Sequence, residues 1–224
     1  MIEKATGLIL RTRPLTETSL IVHWLTRHLG RIATVAKGAR RPKSPFRGQL
    51  DLFYLSDLSF DRSLRSELHH LREVSLLETH SGLRSELDYL EQASYCAQLI
   101  EQATETESPL PGIFELMLGL LQHLLAHPPQ PRTVFAFELR LLDQLGLKPD
   151  LDRTKLDPET RRLVNALTES AWPALTQLRA TGAQVRALNQ FLHGFISYHL
   201  GRIPGSRMKA VGLEPAGKTT DRGG

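Results

Sequence analysis

Arg31-Ile32-Ala33-Thr34-Val35-Ala36-Lys37-Gly38-Ala39-Arg40-Arg41-Pro42-Lys43-Ser44-Pro45-Phe46-Arg47 changes character halfway along. Its first half is apolar and rich in branched side chains, the composition of a strand. Its second half carries Lys37, Arg40, Arg41, Lys43 and Arg47, with no Asp or Glu, and is broken by Gly38, Pro42 and Pro45. Glycine and proline at this density punctuate loops. The stretch predicts a stiff strand feeding a flexible cationic loop. Unopposed charge of this kind repels itself unless a polyanion neutralises it. Nucleic acid is the commonest such polyanion, because each neutralised phosphate releases condensed counterions.

On either side lie more strands. Gly7 to Arg13 is short, apolar and stopped by Pro14; simple alternation puts Ile9, Arg11 and Arg13 on one face and Leu8, Leu10 and Thr12 on the other. Ser19 to Thr26 is branched and aromatic, and His28 to Arg31 supplies a turn. Asp51 to Asp61 and Leu68 to Leu77 give two more strands. Five strands with one long loop suit a small closed barrel, since an open sheet would leave edges to protect. Beyond about Gly82 the period changes to three and four. Leu87, Leu90, Ala93, Ala97 and Ile100 mark one helix, Ile113 to Leu124 a second, and Val134 to Leu145 a third, ended by Gly146. Asp157-Pro158-Glu159 opens a fourth, and Val185 to Leu200 forms the last. The fold class expected is α+β, a β-barrel over residues 1–80 followed by an all-α domain over 81–213. A polar, disordered tail is expected over 214–224.

Formal net charge is only +4, but residues 1–80 and 161–224 are basic and 81–160 acidic. Glu101, Glu105 and Glu107 in the middle read as a solvated face or a partner surface. The lone cysteine, Cys96, sits in an apolar helical stretch and reads as a small buried hydrophobe. One cysteine excludes an internal disulfide and any Cys-rich zinc site, and fits a reducing cytosol. The first apolar run is too short for a secretory leader, and no run is long enough to span a membrane.

Enzymatic chemistry needs convergent groups. No GxxxxGKS/T, HExxH or CxxC is present, and adjacent His69 and His70 on a strand point to opposite faces, so they do not share a metal. The reading is no catalytic residue, no metal and no cofactor. Cations suited to DNA are Arg11, Arg13, Arg31, Lys37, Arg40, Arg41, Lys43 and Arg47. Among aromatics, Trp24, Phe53, Tyr54 and Phe60 fit the barrel core, while Phe46, inside the basic loop, is open between burial and base stacking.

The ordered set Gly7-Leu8-Ile9-Leu10-Arg11-Thr12-Arg13-Pro14, Glu17-Thr18, Leu29-Gly30-Arg31, Ala36-Lys37-Gly38-Ala39-Arg40-Arg41, Phe137-Glu138-Leu139-Arg140-Leu141-Leu142, Leu145 to Leu151, Tyr198 to Arg202 and Ser206-Arg207 resembles the bacterial recombination mediator family RecO. That resemblance implies an OB-fold with a helical domain, a cytoplasmic, nucleoid-associated role in DNA repair and recombination after DNA damage (the RecFOR pathway), and no catalysis. It implies binding of single- and double-stranded DNA, strand annealing, and loading of RecA onto DNA coated by single-strand binding protein (SSB), with RecR and RecF. It also implies contact with the acidic SSB tail, for which Arg132, Arg140, His199, Arg202, Arg207 and Lys209 are candidate cations. Many members carry a four-cysteine zinc site; here Thr154 stands near the first cysteine's place, so zinc is excluded and residues 152–182 must hold together without metal. Two other readings stay open: a helical protein-interaction adaptor and an RNA-binding barrel protein.

Overall fold

A computed structural model describes residues 1–213; the expected tail, 214–224, lies outside the described residues. Five strands, β1 (Ile2–Pro14), β2 (Leu20–Thr26), β3 (Gly30–Ala36), β4 (Leu55–Asp61) and β5 (Leu68–Glu78), close into a barrel in the order β1-β2-β3-β5-β4. All neighbours are antiparallel except β3 and β5, which pair in parallel over Ala33–Val35 and Leu68–His70.

The expected alternation in β1 fails at one residue. The register slips between Ile9 and Arg11, so Ile9 faces Trp24 while Arg11 faces His23. Ile9 therefore points into the barrel with Val22, Trp24, Ile32, Leu58 and Phe60. Leu8 and Leu10 pack outward against the helices. Without this bulge, period two would have sent Arg11 and Arg13 inside along with Ile9. The Trp24 indole N–H donates to Thr34 Oγ1 at 2.9 Å, so the largest barrel side chain is buried without an unmet donor.

Among the described residues six α-helices follow: α1 (Leu87–Ala103), α2 (Pro111–Ala126), α3 (Pro131–Gln144), α4 (Pro158–Glu169), α5 (Gly182–Leu200) and the short α6 (Arg207–Ala210). Prolines begin α2, α3 and α4, where their missing N–H has no partner to lose. Asp157 caps α4, and Thr181 with Gln184 forms a reciprocal capping box on α5. Gly146, at φ 72°, lets the chain turn after α3. The helical core includes Leu8, Leu10, Leu25 and Phe53, so the barrel's outer face is part of it. The turn between β2 and β3 touches the linker after α1: a Cβ on Gly30 would lie 2.2 Å from the Ser108 carbonyl oxygen. No described helix is long and apolar enough to cross a membrane.

Residues 152–182 form α4 and a 3-10 turn over Trp172–Gln177. Leu163, Val164, Leu167 and Leu175 are buried. Arg161 donates to the Leu156 and Thr154 carbonyls, and α3 reaches across with Arg132 to Leu178 and Arg140 to Leu167 and Ser170. Carbonyl-to-guanidinium bonds and a small apolar core hold this segment.

Candidate nucleic-acid interface

The cationic loop is built as a run of turns. Backbone N–H groups of Ala39, Arg41, Ser44, Arg47 and Gln49 donate to carbonyls three residues back, at 3.0–3.4 Å. Phe46 settles on burial rather than stacking: it is 7% exposed and joins the barrel core through Ala36, Trp24 and their neighbours. The loop is pinned at its middle by one aromatic side chain. Lys37, Arg40, Arg41, Lys43 and Arg47 are all exposed around that pin, and none makes an ion pair among the described residues. The guanidinium groups of Arg40 and Arg47 make only long, 3.4 Å bonds to the Thr16 and Pro42 carbonyls. An open cavity of about 400 Å³ lies between Arg40, Arg41, Arg47, Leu20 and Phe46. Several point charges beside an open cavity suit a phosphodiester backbone.

The remaining expected cations have different surroundings. Arg13 is exposed and unpaired among the described residues. Arg11 donates from Nε to Glu101 Oε1 at 3.2 Å. Arg31, expected among the phosphate contacts, has a half-buried guanidinium that donates to the Thr104 hydroxyl at 2.7 Å and to the Thr104 carbonyl. Its backbone is also bridged to the linker, since the Glu107 N–H donates to the Arg31 carbonyl at 2.8 Å. Burial lowers the Arg31 pKa; Glu101 raises it and Arg11 lowers it further. Arg31 fastens the barrel to α1. Of the acidic residues read as solvated or partner-facing, Glu101 and Glu107 meet the barrel itself, while Glu105 stays exposed. Glu107 pairs with Arg62 and with His69, which is stacked on Phe60, and Glu115 pairs with Arg27 at 3.0 Å.

The cations offered for an acidic tail do not converge. Arg207 is 1% exposed and paired with Glu138 at 2.6 Å, beside Asn189 Oδ1. Burial opposes its charge, but hydrogen bonding and charge from Glu138 outweigh that and raise its pKa. Arg207 thus joins α6 to α3 as a buried brace. Arg132 and Arg140 likewise brace 152–182; Arg140 lies over the Trp172 ring, and burial lowers its pKa. His199, Arg202 and Lys209 remain exposed. Tyr95 donates to the same Glu138, and Cys96 is fully buried; burial, then Glu138, raises both pKa values. Sequence reading missed Glu101, Thr104 and Glu107 as partners of barrel cations; the acidic excess just after α1 was their one local signal.

A closed five-stranded barrel with a cationic loop, set on a helical bundle, defines an OB-like fold of the α+β class. Residues 1–80 match the family model described as "Recombination protein O N terminal", and residues 84–155 match "Recombination protein O C terminal". The DNA repair protein RecO of Anaeromyxobacter sp. (strain K) is 34% identical over 149 residues, covering 66% of this chain and 59% of that protein. Its namesake in Bacillus subtilis (strain 168) is 32% identical over 152 residues, covering 68% and 59%. That of Syntrophus aciditrophicus (strain SB) is 30% identical over 167 residues, covering 72% and 64%. The chain belongs to the RecO family, and it spans about three-fifths of the length of these relatives.

Proposed function

We propose that this chain is a non-enzymatic DNA-binding mediator of recombinational repair. The barrel loop grips the backbone of single- and double-stranded DNA, and no chemistry on the nucleic acid is needed. Cations on the loop lower the repulsion between two phosphate backbones, and Watson–Crick pairing then supplies the specificity of annealing. With RecR and RecF, such a protein helps place RecA on SSB-coated strands in the cytoplasm. Of the cations offered for the SSB tail, His199, Arg202 and Lys209 keep the exposure that contact requires.

One observation carries this reading: Lys37, Arg40, Arg41, Lys43 and Arg47 stand together, exposed and without carboxylate partners among the described residues. The test is fluorescence anisotropy with labelled DNA, with unlabelled RNA of the same sequence as competitor. Changing Arg40→Glu, Arg41→Glu and Lys43→Glu together is expected to weaken DNA binding by orders of magnitude and slow annealing, with thermal unfolding unchanged. Unaltered binding sinks the proposal. Stronger competition by RNA would favour an RNA-binding role.

A further inference from the structure

Where β1, β2 and β3 meet the end of α1, a cavity of about 250 Å³ is lined by Arg11, Arg13, His23, Arg31, Glu67 and Glu101, among others. Arg11 and Arg13 come from β1 and Arg31 from β3, and His23 lies on β2 between them, opposite Arg11. The His23 Nε2 atom is buried and without a hydrogen-bond partner. Its pKa is lowered to about 4 by burial and then by Arg11, Arg13 and Arg31, and three arginines against two glutamates line the pocket. The anion now facing those arginines is internal: Glu101, on α1, bonds Arg11 through both Nε and Nη2 at 3.2 Å. Arg11 keeps about half its side-chain surface open, whereas Glu101 keeps 16%. Glu67 stands exposed at the rim and makes no ion pair among the described residues.

We propose that this seam pocket is a second phosphate subsite, distinct from the loop, and that Glu101 occupies its Arg11 arm until a phosphate displaces it. The inference rests on the DNA-binding reading above and adds its regulation. A phosphate group suits the pocket better than a carboxylate. It offers more acceptor oxygens to the Arg11 and Arg13 donors, and Arg pairs bidentately with phosphate. Glu101 belongs to the helical half, so any partner that shifts α1 against the barrel would change how freely the subsite opens. The brake is small, because Arg11 keeps about half its side chain in water and its pair with Glu101 is screened there.

The test is anisotropy on the full chain with single strands at low salt. Glu101→Gln is expected to tighten binding two- to five-fold and to steepen the salt dependence by about 0.7 in log–log slope, one further phosphate on a single strand. Adding Arg11→Gln to that variant should erase both gains. A merely structural Glu101 would change unfolding temperature without this Arg11-dependent gain. Strands with 5′-hydroxyl and 5′-phosphate ends separate two sources of the phosphate. An equal gain assigns the subsite to the internal backbone, and a gain confined to the phosphorylated strand assigns it to ends. If Glu101→Gln binds like the parent while the loop triple variant binds weakly, the subsite is refuted and the loop stands. If the triple variant binds like the parent, the DNA reading itself fails.

Discussion

The basic loop and the seam between barrel and helices are built from the same residue types, yet their arginines do opposite things. At the seam, Arg11, Arg27, Arg31 and Arg62 each meet a partner from α1, α2 or the linker between them. On the loop, Arg40, Arg41 and Arg47 meet none that is charged among the described residues. The reason lies in what each can reach. Seam arginines stand on strands (Arg11, Arg31) or just past their ends (Arg27, Arg62), on a barrel that the helices cover through Leu8, Leu10 and Leu25, so carboxylates arrive with the packing. The loop is held by Phe46 on the barrel's own core, away from the acidic stretch. Local composition marks both as cationic; only the fold decides which charge is left for an outside anion.

The contrast breaks first at its pin. Phe46→Ala removes an aromatic anchor from the barrel core and is expected to cost about 3 kcal/mol in denaturant unfolding. If the loop is held as described, DNA binding weakens with it even at temperatures where the variant is folded. A loss below about 1 kcal/mol would mean that the turns alone order the loop. Next, Arg31→Ala should destabilise by about 1–3 kcal/mol, because the half-buried Thr104 carbonyl loses a charged donor. It should leave DNA affinity within about two-fold once folding is corrected for. A large affinity loss with unchanged unfolding would move Arg31 back among the phosphate contacts.

Much of the fold was readable along the chain because its signals are local. Period-two runs bounded by Gly and Pro gave five strands, period-three-to-four runs gave the long helices, and Asp157-Pro158 gave a helix start. The bulge at Leu10 was not readable, since one extra residue in a strand leaves no mark but its consequences. The loop's cations were plain in sequence, and so was the choice open at Phe46, but not its outcome. The pairings were hidden by separation: Arg11 and Glu101 lie 90 residues apart, and Glu138 and Arg207 lie 69 apart. Short α6 escaped notice because four residues carry no period, and without it Arg207 looked available to a partner.

The most direct test compares salt dependence across the two regions. Duplex binding is titrated from low to moderate salt for the parent chain, for a variant with Lys37, Arg40, Arg41, Lys43 and Arg47 all changed to Gln, and for one with Arg27→Gln and Arg62→Gln at the seam. Five loop cations each neutralising a phosphate account for about −4.5 of the log–log slope. The loop variant is expected to lose nearly all of it, and the seam variant to keep it. Equal slopes in the parent and loop variants, or a slope lost on changing the seam alone, would contradict the account.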